Sequence, residues 1–235
     1  MDSFRRGRMT LTPVEPELVG DANGRSLLHL QCHFGLDTLS WARLGARVTG
    51  ADFSAPAIAQ AESLAAELGI PARFVCSDLY QLPDQLEGDF DVVYTSWGVL
   101  CWLPDLARWA QVVARFLTPG GRFHLFEFHP IADVFDDELQ PAYHYFFEPE
   151  GYREPWTATY ADLEAEIAGE SWQWAHPVSE IVGALIGAGL RIERLDEFPW
   201  IRWPRFQALV PGRLAGTWEL PSGHLPLSLH IEASR

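Results

Sequence analysis

The chain has 235 residues, 48% of them apolar and 21% charged, which excludes a disordered or fibrous chain. That length buries ~70–75% of the unfolded surface, so the core needs no staple. The 32 acidic residues exceed the 17 basic ones by 15, and a net charge of −15 repels phosphate backbones, so no nucleic-acid partner is expected. All 17 basic residues are Arg, which excludes Schiff-base lysine chemistry and a P-loop Lys. Cys32, Cys76 and Cys101 lie far apart and suit a reducing compartment. The sequence has no CxxC, no HExxH and no 18-residue apolar run, and Met1–Met9 lacks an apolar leader core. A cytoplasmic protein with no metal centre and no membrane partner is the expectation.

Short apolar runs alternate with helical stretches. Ser26–Gln31 predicts a buried strand, Gly35–Leu44 a short helix ended by Gly45, and Arg47–Ala51 a second strand followed by Asp52. Ser54 reads as an N-cap, with Pro56 in the first turn of a helix over Ala57–Leu68 that Gly69 closes. Ala72–Cys76 and Phe90–Thr95 predict the third and fourth strands. Leu106–Leu117 predicts a helix with Trp109, Val112, Val113 and Phe116 on one face, stopped by Pro119-Gly120-Gly121, and Arg122–Phe128 the fifth strand.

After His129 the periodicity breaks. Residues 131–176 hold Pro141, Pro149 and Pro155 among Tyr143, Tyr145, Phe146, Phe147, Tyr152, Trp156, Tyr160, Trp172 and Trp174. They read as a lid-like insertion within one domain spanning 1–235. Alternation resumes with a helix over Val178–Ala188 capped by Gly189, a strand over Arg191–Phe198, and a last strand over Leu225–Glu232. The stretch between, with Trp200, Trp203 and Trp218, reads as loop. Strands alternating with helices imply an α/β, doubly wound, mainly parallel sheet, whose ligand sits beyond the carboxyl ends of the strands.

The first strand feeds the turn Gln31-Cys32-His33-Phe34-Gly35. A dinucleotide site wants GxGxxG there, and Gln31 and His33 crowd a pyrophosphate, which disfavours NAD. Asp52 ends the second strand, where an acid pairs with ribose hydroxyls, and Asp78 follows the third, where an acid suits an adenine amine. Together they suggest a nucleoside without a pyrophosphate.

These segments resemble a known family. LLHLQCHFGLDTLSWARLGARVTGADFS is similar to the first two motifs of class I S-adenosylmethionine-dependent methyltransferases, RFVCSDLYQLP to the third, FDVVYTSWGVLCWLPDL to the fourth, and LTPGGRF to the turn after it. The match runs in register from Arg25 to His129, and HLQCHFG resembles one bacterial branch that methylates small molecules. The resemblance implies a Rossmann-like seven-stranded sheet with an antiparallel last strand. It also implies S-adenosylmethionine as cofactor, with S-adenosylhomocysteine as product, and a small-molecule acceptor methylated on O, N or C. The chain would be a monomer or homodimer. Gln31, His33 and Gly35 would wrap the methionine part, Asp52 bind the ribose and Phe53 pack on the adenine. Asp78 would take the adenine amine, the Leu79 backbone N–H a ring nitrogen, and Ser96 and Trp97 would flank the sulfonium. His29 stands where these enzymes carry an acid, and fewer residues precede the first strand than in many relatives, which implies a shortened cover. The alternative is a non-catalytic module binding S-adenosylmethionine, another adenosine ligand or a partner on the same fold.

Glu127 and His129 end the fifth strand on one face by period two, and both are candidate catalytic groups, His129 as a base acting on the acceptor. His29 and His124 read as buried strand residues without chemistry. Trp97, Trp102, Trp172 and Trp174 either box a cationic or planar substrate or fill the lid. Arg153, Arg202 and Arg205 are expected to be solvated on the surface rather than to hold a carboxylate.

Overall fold

The computed structural model describes residues 1–156 and 169–235. Two short helices open the chain, α1 (Asp2–Arg5) and α2 (Val14–Val19). The predicted alternation follows: β1 (Ser26–Leu30), α3 (Leu36–Arg43), β2 (Arg47–Asp52), α4 (Ala55–Leu68), β3 (Ala72–Cys76), α5 (Leu82–Gln85), β4 (Phe90–Ser96), α6 (Leu106–Phe116) and β5 (Leu117–Phe128). Ser54 caps α4 by accepting from the Ala57 N–H, and Gly69 ends it in the left-handed conformation. α6 stops at Phe116, because Leu117 already has extended backbone and pairs with Phe90.

Beyond β5 lie β6 (Tyr152–Trp156), β7 (Gly169–Gln173), α7 (Val178–Gly187), β8 (Arg191–Phe198), β9 (Trp200–Ile201), β10 (Val210–Pro211), β11 (Trp218–Glu219) and β12 (Ser228–Ser234). The main sheet has seven strands in the order β3-β2-β1-β4-β5-β12-β8. β1 to β5 are parallel, and β12 is antiparallel to both β5 and β8. The order reverses between β1 and β4, and a doubly wound sheet opens its ligand crevice at such a switch.

Two expectations are corrected. The segment from Trp200 to Trp218 is not only loop, since β9, β10 and β11 form a small antiparallel sheet. The last strand begins at Ser228, because Leu225 and Leu227 pack instead in a separate cluster with Ala132, Ile201, Phe206 and Leu220. The insertion supplies β6 and β7, which pair antiparallel. Its Tyr160 lies outside the described residues.

The sheet is buried on both faces. Leu28 and Leu30 pack with Trp109 and Phe116 of α6 and Leu185 of α7. Leu27 packs on the other face with Val19, Trp41, Tyr94 and Phe126. Each such fully buried side chain contributes about 1.5–3 kcal/mol. Among the described residues, no helix is long and apolar enough to cross a membrane.

Candidate functional site

The turn after β1 has the backbone of a glycine loop without its glycines. Gln31 and His33 hold φ of 55° and 50°, and Gly35 holds 75°. A left-handed non-glycine residue costs about 1–2 kcal/mol, so the fold must impose this path. It does so through β2. The Cys32 N–H donates to the Ala51 carbonyl at 3.0 Å, and the His33 N–H donates to Asp52 Oδ2 at 2.8 Å. Asp52 Oδ1 accepts from the Ser54 N–H at 2.9 Å, so each carboxylate oxygen keeps a lone pair for another donor.

The neighbouring strand ends join this edge. The Ser77 N–H donates to the Asp52 carbonyl at 2.9 Å, which sets Asp78 and Leu79 beside β2. Asp78 is exposed and caps the following turn through the Tyr80 N–H at 2.9 Å. Leu79 is buried, whereas Phe53 is 75% exposed and offers a bare ring face. Gln31 Nε2 donates to the Val99 carbonyl at 3.1 Å and ties the β1 turn to the loop after β4. Gln31 Oε1 is buried with no hydrogen-bond partner.

Ser96 ends β4 and Trp97 follows it, and the side chains of both are engaged within the fold. Ser96 Oγ lies 3.2 Å from His29 Nε2 and donates to Asp37 Oδ2 at 3.3 Å, so its side chain turns into the core. The Trp97 indole packs on Phe126, Phe128 and Trp200, and its Nε1 donates to Glu15 Oε1 at 3.1 Å.

These contacts belong to a buried polar network that the sequence reading missed. Arg202 lies 3.2 Å from Asp37 and 3.8 Å from Glu15, donates to the Thr10 carbonyl at 2.6 Å and sits over the Trp97 ring. It is therefore not a solvated surface group. Burial favours the neutral form of Arg202, but Asp37 and Glu15 outweigh it and hold the guanidinium firmly charged. Burial also pushes the Asp37 carboxyl up, yet Arg202, Thr10 and His29 bring it below its usual range. Glu15 stays above its usual range because burial dominates. His29 is pushed down to about 4 by burial, with Nδ1 2.8 Å from Thr38 Oγ1. One signal was available: Thr12-Pro13-Val14-Glu15 is a capping-box pattern, and Glu15 Oε2 accepts from the Thr12 N–H and hydroxyl.

The expected acid–base pair has partners within the fold. Glu127 is buried, and its carboxylate accepts from the backbone N–H groups of Gly98, Val99, Leu100 and Phe128. Burial pushes this carboxyl up and the four donors pull it back. Glu127 thus shapes the loop after β4. His129 Nδ1 accepts from the Ile131 N–H at 3.1 Å, which leaves the proton on Nε2, 2.8 Å from Glu197 Oε1. Burial pushes its pKa down, against Glu197. Both ring nitrogens are engaged, and the Nδ1 contact ties His129 to the turn at Pro130. Arg205 pairs with Asp133 and is not a solvated surface group either, whereas Arg153 is exposed and pairs with Glu170.

A cavity of about 630 Å³ opens beside this loop, lined by Gly98, Leu100, Cys101 and Glu127 on the sheet side. Phe128, Asp133, Phe135, Arg205, Tyr143, Trp174 and Trp203 also line it. The Trp174 N–H donates to the Cys101 carbonyl at 2.9 Å, which fastens the β6–β7 pair over the cavity. Of the four expected aromatic-box residues only Trp174 lines it, while Trp102 and Trp172 are exposed.

The family model described as "Methyltransferase domain" matches residues 27–121. The ubiquinone biosynthesis O-methyltransferase of Cronobacter sakazakii is 34% identical over 110 residues, 47% of this chain and 44% of that protein. That of Xanthomonas oryzae pv. oryzae is 31% identical over 118 residues, 49% of each chain. The chain spans less than half the length of these curated relatives. An S-adenosylmethionine-dependent methyltransferase structure from Mesorhizobium loti aligns with a TM-score of 0.61 at 22% identity, covering 95% of this chain and 96% of that one. Another, from Clostridium acetobutylicum, aligns with a TM-score of 0.64 at 13% identity, covering 94% and 88%. The fold is thus that of class I S-adenosylmethionine-dependent methyltransferases.

Proposed function

We propose that this chain, a methyltransferase domain over residues 27–121 on the class I fold, transfers a methyl group from S-adenosylmethionine to an O, N or C nucleophile of a small molecule. The observation that carries the reading is the left-handed turn at Gln31, His33 and Gly35 bound to Asp52. A nucleoside fits what surrounds it. Asp52 retains acceptor capacity for two ribose hydroxyls, Phe53 offers a ring for an adenine, and the orphaned Gln31 Oε1 suits an ammonium donor. Asp78 and the Leu79 N–H stand at the adenine edge.

When bound, the cofactor supplies a methyl carbon activated by a sulfonium. The chain's residues align the acceptor and exclude water, so proximity carries much of the rate. Glu127 holds the 98–100 loop that joins the cofactor edge to the cavity and acts as a positioning residue. The described parts of the insertion, 131–156 and 169–176, act as the cover, with Trp174 and Tyr143 in the cavity lining. The open cavity favours an enzyme over a binding module, since a module needs no second space. A small molecule is the acceptor, and a cytoplasmic location suits it. Equilibrium dialysis with methyl-labelled S-adenosylmethionine tests the reading: saturable retention is expected, and none contradicts it.

A further inference from the structure

The cavity beside Glu127, read above as the acceptor site, has a lining that sets the charge of what it takes. Four carboxylates line it, Asp133, Asp136, Asp137 and Glu138, besides Glu127, whose carboxylate is taken up by four backbone N–H groups. Arg205 is the one guanidinium among the lining residues, and Asp133 and the Phe135 carbonyl already engage it. The charge extends through the described parts of the insertion that supplies this lining. The described residues 131–156 and 169–176 contain eight carboxylates and a single Arg, Arg153, which lies over Trp172 and pairs with Glu170. About half of the chain's net charge of −15 therefore belongs to these residues.

We infer that the acceptor carries a cationic, ammonium-type group attached to an apolar or aromatic body. An acid-lined cleft with apolar walls focuses a negative potential and draws cations into it. The rings of Trp174, Trp203 and Tyr143 in the lining add cation–π attraction. A carboxylate-bearing acceptor meets the opposite: several acids nearby and one guanidinium already paired. The ammonium is a recognition handle, separate from the atom that attacks the methyl group.

The test uses three phenols of one shape and different charge: tyramine, 4-hydroxyphenylethanol and 4-hydroxyphenylacetate. Each is titrated calorimetrically into the protein saturated with S-adenosylhomocysteine. Tyramine is expected to bind at least about tenfold more tightly than the alcohol, the acid is expected not to bind, and added salt should erode the preference. Asp137→Asn with Glu138→Gln should reduce the preference severalfold while S-adenosylhomocysteine affinity stays unchanged. Equal affinity for amine and alcohol, a preference for the acid, or binding of none of the three overturns the inference. Failure of S-adenosylhomocysteine itself to bind overturns the cofactor reading on which the inference rests.

Discussion

The His33 backbone N–H donates to Asp52 Oδ2 at 2.8 Å, and this bond couples the turn after β1 to the end of β2. One carboxylate thereby holds the left-handed backbone at His33, and in the proposed function it also takes the ribose hydroxyls. Asp52→Ala is expected to weaken S-adenosylhomocysteine binding at least about a hundredfold, since two charge-assisted hydrogen bonds are worth ~1.5–3 kcal/mol each. Calorimetric titration showing less than a threefold change removes Asp52 from the site.

Glu127 organises the loop after β4 through four backbone donors. Glu127→Ala leaves those N–H groups without their acceptor and is expected to cost at least about 3 kcal/mol in urea unfolding. Glu127→Gln retains one acceptor oxygen and should fall between. A catalytic base would show the reverse pattern, with intact stability and lost turnover.

Arg202 answers the charge of Asp37 and lies near the buried Glu15. Breaking such a cluster by removing one partner costs about 3–5 kcal/mol, and Arg202→Ala is expected to fall in that range. Adding Asp37→Asn should recover part of the loss. A change below about 1 kcal/mol would show that the guanidinium is as dispensable as a surface group.

Two buried imidazoles make stability depend on pH. Burial pushes His29 down to about 4, and burial with His230 pushes His124 down to about 3. Both lie below the unfolded value of 6.5, so the unfolded chain binds more protons. Their stabilisation is complete above about pH 6.5 and is lost as pH falls toward 4, at up to ~1.4 kcal/mol per pH unit for each ring. Glu15 and Glu127, raised by burial, titrate with the opposite sign. The difference between wild type and His124→Asn isolates one ring and should shrink from pH 6.5 to pH 5. A constant difference means that His124 titrates in the fold as it does in the unfolded chain.

Much of the architecture was legible because it is periodic. Ser54, Pro56 and Gly69 bound α4 where cap chemistry places them, and the acids at 52 and 78 follow from strand ends. The two-residue strands β9, β10 and β11 carry no period and were invisible. Gln31 and His33 read as departures from a glycine loop, yet their backbones adopt its left-handed path, because bonds from β2 rather than glycine's freedom hold it. The Arg202–Asp37 contact joins residues 165 positions apart, a distance no local pattern spans. Period two correctly placed Glu127 and His129 at the strand end, but it carries no information on the backbone donors that occupy Glu127 or on Glu197, which meets His129 from β8.

The most direct measurement is a calorimetric titration of the purified chain with S-adenosylhomocysteine and, separately, with NADH. The account predicts one saturable site for S-adenosylhomocysteine, lost in Asp52→Ala, and no heat from NADH, whose pyrophosphate the side chains of Gln31 and His33 exclude. Absence of S-adenosylhomocysteine binding at millimolar ligand, or saturable binding of NADH at the same turn, would contradict it.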